Sequence, residues 1–251
     1  DGKGEVVASL ARDWTVSADG LDWRFALHPR LKFSDGEPIT AATFAATYDR
    51  LYDDVLASPH RAFADLMEEM VADGDTVRIR LKAPYPALPA LLAHPAFAAL
   101  PHHRIEAMGD GWTNERPMVT SGPYRARLWI LNNRIELERN PHWHGDPAPI
   151  PLVLWRPSED SLATMRAFLA GEADTTDTFP AIRTDWLREE LNDAQGKVVR
   201  TEPYLGIYYF VFNVRKPPFD DVRVREALAM TVERSWLIDK VLQLKAEPAF
   251  A

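Results

Sequence analysis

Twenty prolines are spread along the 251 residues, and in the first half they recur at Pro29, Pro38, Pro59, Pro84, Pro86, Pro89, Pro95 and Pro101. Proline fixes φ and carries no backbone donor, so each one interrupts a helix interior or a central strand. The chain is therefore read as many short elements with rigid connections. Trp23-Arg24-Phe25-Ala26-Leu27 has the period-2 pattern of a strand, and His28–Phe33 a short strand or turn. Ser34-Asp35-Gly36-Glu37-Pro38 is a turn: Asp-Gly supplies a left-handed position and Pro38 a rigid exit. Thr40 is then placed to cap a helix whose Phe44, Tyr48, Leu51 and Tyr52 share one face.

Further on, the spacing of Phe63, Leu66, Met67 and Met70 predicts a helix over 59–71. Thr76–Leu81 alternates as a strand with one wet face, and short helices are expected over 87–92 and 103–108. Tyr124–Ile130 and Arg134–Glu138 form a hairpin around Asn132-Asn133. Pro151–Arg156, apolar throughout, reads as a strand buried on both faces. A helix over Ser161–Ala170 ends at Gly171, with acids at its start near Glu159-Asp160. Glu172-Ala173-Asp174 opens a short strand, 184–191 is helical, and 197–201 and 204–213 are strands. Alternation along the last puts Tyr208 and Phe210 on a core face. Asp220 or Asp221 caps a helix over 222–231, and 233–242 continues after a break. Interspersed strands and helices give an α/β class with mixed α+β sheets.

Apolar residues make up 46% of the chain and charged residues 26%, enough for a sizeable core and unlike a disordered tail. Asp and Glu outnumber Lys and Arg by 37 to 29, a net charge of −8, which argues against a nucleic-acid partner. No stretch approaches the roughly 20 apolar residues needed to span a bilayer. With no cysteine there is no disulfide, thiolate metal site or cysteine nucleophile. The opening Asp1-Gly2, in place of Met, suggests an N-terminus lost by processing or truncation. The surplus of aromatics, eight Trp and seven Tyr, suits ligand clefts and interfaces as well as cores.

No catalytic constellation stands out. His102-His103, with His94 and His60 upstream, and His142-Trp143-His144 lack the i, i+4 spacing of helical metal ligands, so a metal site is not expected there and they read as loop or turn histidines. Ser121 lacks the G-x-S-x-G elbow, and no nucleotide-phosphate loop occurs. Glu68-Glu69 and Glu189-Glu190 read as solvated helix faces, because sequence neighbours point apart. No metal, no cofactor and no catalytic residue are expected, and the balance favours binding over catalysis.

Several segments together resemble a known family. Trp23-Arg24-Phe25 with Lys32-Phe33-Ser34-Asp35-Gly36-Glu37-Pro38-Ile39-Thr40-Ala41 is similar to the W-x-F…F-S-D-G-x-P-I-T-A signature of the family 5 extracellular solute-binding proteins, periplasmic peptide-binding components of ABC importers. Ser121-Gly122-Pro123-Tyr124, Leu137-Glu138-Arg139-Asn140-Pro141, Phe168–Asp174 and Pro218-Phe219-Asp220-Asp221-Val222-Arg223-Val224-Arg225-Glu226-Ala227-Leu228 follow in the family's order. Pro203-Tyr204-Leu205-Gly206-Ile207-Tyr208-Tyr209-Phe210 resembles the hinge strand of the oligopeptide-binding branch, and Ala57-Ser58-Pro59 with Phe63 its loop carrying an aromatic ligand contact.

The resemblance implies a partial type II periplasmic-binding-protein fold. Residues 1–101 would be a small accessory α/β domain, 102–205 part of lobe one, and 206–251 the hinge strand and start of lobe two. It implies a non-enzymatic importer component that closes on a peptide and delivers it to the transmembrane permease subunits. The location would be the periplasm, or the cell exterior with a lipid anchor in a Gram-positive organism. Phe63, Tyr204, Gly206, Tyr209 and Thr178 are the implied ligand-binding residues. Alternation keeps Tyr204, Gly206 and Tyr209 from sharing one face without a bulge. Asp221, Arg223 and Arg225 read as a cap and its partners. Val211 stands where branch members often carry an acid, and Asp177-Thr178 replaces a Tyr/Asn-rich stretch. Nickel chelates, oligosaccharides and opines stay open as ligands, as do a sensory role and, less favoured, a hydrolase. Family members are about twice as long, so the resemblance implies a fragment lacking the N-terminal part and most of the second lobe, with apolar sheet edges left uncovered.

Overall fold

The computed structural model describes residues 5–191, 206–242 and 246–249. The chain divides into two compact units, Asp1–Pro157 and Ser158–Ala251. This is a division by packing. The boundaries at 101/102 and 205/206 that the resemblance implies follow family lobes instead.

The first unit holds β1 (Ala11–Val16), β2 (Asp22–Leu27), α1 (Ala41–Leu51), α2 (Arg61–Ala64), β3 (Met67–Asp73), β4 (Thr76–Leu81), α3 (Leu88–Leu92), α4 (His102–Met108), β5 (Tyr124–Ile130), β6 (Arg134–Arg139) and β7 (Leu152–Trp155). They build two antiparallel sheets, ordered β1-β2-β4-β3 and β5-β6-β7. One face of the first sheet carries Trp23, Phe25, Leu27, Met67, Met70, Val77, Ile79 and Leu81 into a core shared with Tyr48 and Leu51 of α1 and with Leu31, Phe33 and Ile39. Its other face carries ion pairs: Arg24 with Asp73, Arg78 with Glu69, and Arg80 with both Asp22 and Glu68. Thr40 is the N-cap of α1, and its backbone N–H donates to Thr43 Oγ1 at 3.1 Å.

The turn after β2 joins the parts of this unit. Gly36 has φ +96°, where a side chain is strained, and His142 Nε2 lies 3.4 Å from where a Cβ would stand. Buried Ser34 exchanges bonds with Thr120, and its carbonyl accepts from Arg125 of β5 at 3.3 Å. Asp35 Oδ2 receives His103 Nε2 at 2.7 Å and Arg104 Nε at 3.2 Å, both from α4. Arg104 also reaches Glu115 at 3.3 Å.

The helix over 59–71 shrinks to α2, and Met67 begins a strand. Met67 and Met70 point inward although three residues apart, because the register of β3 against β4 shifts between Met67 and Glu69. Glu68 is the extra residue of a bulge, so an odd spacing keeps one face and imitates a helix. Glu68 and Glu69 are thus strand acids matched to Arg80 and Arg78, not a helix face. The apolar run over 151–156 is the edge strand β7, with Leu152, Leu154 and Trp155 at 45%, 44% and 59% exposure, not a strand buried on both faces. Its composition reports that it is made for cover; the described residues supply a neighbour on one side only.

In the second unit, α5 (Ser161–Leu169) is capped by Asp160, whose Oδ1 accepts from the N–H groups of Leu162 and Ala163 at 2.9 and 3.1 Å, and Gly171 at φ +73° follows its end. The short strand expected at Glu172 is absent: the N–H groups of Glu172 and Ala173 turn back to the Ala167 carbonyl. Then come α6 (Thr184–Leu191) and α7 (Val222–Met230), with a helical turn at Arg234–Trp236 continuing as a π-turn through Leu242. Asp221 caps α7 through Arg223 N–H at 2.9 Å and binds its guanidinium, while Arg225 donates to the carbonyls of Phe219 and Asp220. The strand expected over 197–201 lies outside the described residues. Residues 206–213 belong to neither sheet, and Tyr208 and Phe210 are 90% and 74% exposed, not core. A strand exists through its ladder, and these residues find none among those described.

Candidate functional site

Phe63 belongs to the single turn of α2 and is 36% exposed. It is not an isolated ring. His60 stacks at 5.8 Å between centroids with planes 11° apart, and His94 lies 4.6 Å away, tilted by 59°. The two imidazoles meet edge to face at 5.2 Å. His94 Nδ1 accepts the Ala96 N–H at 3.1 Å, which leaves the proton of the neutral ring on Nε2. Ser58, Pro59, Pro95 and Ala96, chain neighbours of the two histidines, wall an open cavity of about 320 Å³ together with Leu51 and Arg50. The arrangement offers flat apolar surface and ring donors, the chemistry of a recognition surface. His60 was within reach of sequence reasoning, since it stands three residues before Phe63. His94 is 31 positions further on, and only the tertiary fold brings it there.

In the second unit, Thr178 is exposed, and its backbone is what the fold engages. Its carbonyl accepts from Thr164 Oγ1 of α5 and from Thr176 Oγ1, both at 2.9 Å. Gly206 and Tyr209 are also exposed, Tyr209 at 70%, within a run of Ile207, Tyr208, Phe210 and Val211 that is similarly open. The rings of Tyr208 and Phe210 touch edge to face at 6.1 Å. Tyr204 lies outside the described residues. Phe63 therefore sits in the first unit, and Thr178, Gly206 and Tyr209 in the second.

The titratable groups act as fasteners. Burial raises the Asp35 pKa, but hydrogen bonds from His103, the Glu37 N–H and Arg104 outweigh it and hold the carboxyl below its ordinary value. His102, adjacent in α4, is held low by burial and then by the charge of Arg50. Its Nε2 lies 3.4 Å from the Thr47 hydroxyl, which reaches the carbonyls of Thr43 and Ala98. Among the described residues no three His, Asp or Glu side chains are grouped to hold a metal ion.

The family model for bacterial extracellular solute-binding proteins, family 5 (Middle), matches residues 5–251. The chain is 31% identical to the periplasmic oligopeptide-binding protein OppA of Salmonella typhimurium, over all of this chain and 49% of that protein. It is 31% identical to the probable deoxycholate-binding periplasmic protein YgiS of Escherichia coli, over 98% of this chain and 48% of that protein. The solved structure of the Escherichia coli murein tripeptide binding protein MppA superposes with a TM-score of 0.90 at 30% identity, covering 99% of this chain and 52% of that one. The chain spans about half the length of the curated relatives it matches. The mixed α/β architecture is accordingly part of the type II periplasmic-binding-protein fold. With the family model covering nearly every residue and the motifs in family order, the chain belongs to the family 5 bacterial extracellular solute-binding proteins.

Proposed function

We propose that this chain is part of the substrate-binding component of an ABC importer, that it binds peptides, and that it passes them to transmembrane permease subunits. The observation that carries the reading is the match over residues 5–251 to a solute-binding family whose relatives here include oligopeptide- and murein-peptide-binding proteins. The role is binding, not catalysis. The residues up to 101 act as an accessory domain, 102–205 as part of lobe one, and 206–251 as hinge and start of lobe two. Phe63, Thr178, Tyr204, Gly206 and Tyr209 border the ligand, with flat rings accepting varied side chains while backbone groups supply hydrogen bonds. The site of action is the periplasm, or the cell exterior. No helix among the described residues is long and apolar enough to cross a membrane.

A second reading has its own support. YgiS, whose name makes it a probable deoxycholate-binding protein, matches this chain at the same 31% identity as OppA, and by the family resemblance Val211 stands where branch members often carry an acid. A non-peptide amphipathic ligand is the alternative. Native mass spectrometry of the freshly purified chain, with denaturing release of bound molecules, separates the two. Short peptides of mixed sequence support the first reading, and a small non-peptide molecule supports the second. An empty chain that also fails to bind added tri- and tetrapeptides overturns peptide binding by this chain.

A further inference from the structure

We propose that the His28–His144 ring pair is an acid-sensitive clasp that docks the 140–146 loop on the end of the first sheet and releases it when the rings are protonated. His28 directly follows β2, and its N–H donates to the Leu10 carbonyl at 3.0 Å beside β1. His144 comes from the loop after β6. The two rings lie 5.5 Å apart, and the Trp143 ring packs on His144 at 4.2 Å. A Cβ on Gly145 would stand 2.8 Å from Trp143 Nε1, so the tip is closely packed.

The base of the loop is held differently. Asn140 Nδ2 donates to the Gly122 carbonyl at 2.8 Å, and Asn140 Oδ1 accepts the His142 N–H at 2.8 Å. Arg139 donates to the carbonyls of Ala148 and Pro149, both at 2.6 Å. None of these bonds titrates between pH 5 and 8, so the base persists where the tip responds. The groups bearing on the His144 ring are few. Burial and then the neighbouring His28 keep its pKa below the ordinary 6.5, and the Ser9 carbonyl opposes them as an acceptor. Asp146, in the same loop, makes no ion pair with either ring among the described contacts, and His142 faces Gly36.

The sign follows from linkage. The docked ring binds a proton less readily than the released one, so docking is fully favourable above pH 6.5 and weakens as pH falls below it. Two imidazolium rings at this separation repel, and the loop tip leaves while the sheets stay folded.

Hydrogen exchange of the whole chain, with exchange times scaled for the intrinsic pH effect, tests this. Residues 143–146 should lose protection at pH 5.5 relative to pH 7.5, while the His142 amide at the base and the strands β5 and β6 keep theirs. NMR titration should place the His144 midpoint below 6.5, and His28→Gln should raise it by roughly half a unit, the size expected for one like charge at this distance in water. His28→Phe keeps a ring without a charge and should lessen the loss of protection at pH 5.5, since the repulsion goes while the burial of His144 stays. A His144 midpoint at or above 6.5, or an unchanged acid response in both His28 variants, overturns the clasp.

Discussion

Ser34 and Thr120 hold each other through two bonds: the Ser34 N–H donates to the Thr120 carbonyl at 2.9 Å, and Ser34 Oγ accepts the Thr120 N–H at 3.0 Å. Ser34 is 2% exposed, so no water stands ready to replace its hydroxyl. Ser34→Ala leaves a buried N–H without an acceptor and should cost about 1–3 kcal/mol. Urea unfolding measures it; a loss under about 0.5 kcal/mol would show that the Thr120 N–H finds another partner.

Acid should weaken the first unit in two stages. His102 has its folded pKa depressed, so its neutral state contributes fully above pH 6.5 and less as pH falls below that value. Asp35 is also depressed, but as an acid it contributes above about pH 3.8 and loses that contribution as pH falls through its lower folded value. Thermal midpoints between pH 7.5 and 2.5 should show both declines. Asp35→Asn should reduce the second, to which Asp19 and Glu136 with their own lowered pKa values also contribute, and leave the first; a single decline in the native chain would contradict this assignment.

Ile79 and Trp155 make a contrast between a buried strand residue and an exposed one. Ile79 is 1% exposed in the centre of the first sheet, and Ile79→Ala should cost about 2–5 kcal/mol. Trp155→Ser on the β7 edge should change stability by no more than about 0.5 kcal/mol. It should instead reduce binding of an environment-sensitive dye and any concentration-dependent association, both expected from the open rings of Trp129 and Trp155 and the residues 207–211. A monomer at all concentrations, with no dye signal, would count against this.

Ligand affinity should divide among the proposed contacts by what each offers. Phe63→Ala and Tyr209→Ala each remove a ring and should weaken peptide binding by roughly tenfold, about 1.4 kcal/mol. Thr178→Ala should be nearly silent, since the fold uses that residue's carbonyl, which survives the substitution. Titration calorimetry with a peptide ligand reads all three, and a large loss at Thr178 alone would reverse the ranking.

Local chemistry was legible where one segment decides its own structure. The turn at Asp35-Gly36, the cap at Thr40, the hairpin tip at Asn132 and the cap at Asp221 all follow from residue type, and the structure has each. Apart from the turn at Glu172, which closes locally on Ala167, the failures share a cause in long-range pairing. The bulge at Glu68 disguised a strand as a helix, since register is set by the partner strand. The run at Leu152–Trp155 said that these residues suit burial, without saying what buries them. At the candidate site Phe63 was reached through resemblance, His94 through neither motif nor spacing. The Asp35–His103 bond, 68 residues apart in sequence, explains why a turn motif carries an acid that the turn itself could do without.

The charged face of the first sheet has a consequence for how the strands find one another. Arg24 stands directly opposite Arg78 in the β2–β4 register, yet each swings to its own carboxylate, Asp73 and Glu69. Each pair is exposed enough to add little energy. Slide β4 by one residue, however, and Arg78 and Arg80 turn toward Phe25, Tyr48 and Leu51, while Val77 and Ile79 turn toward water. The ladder thus works as a key that admits one alignment of these strands, and its value lies in the wrong pairings it excludes during folding.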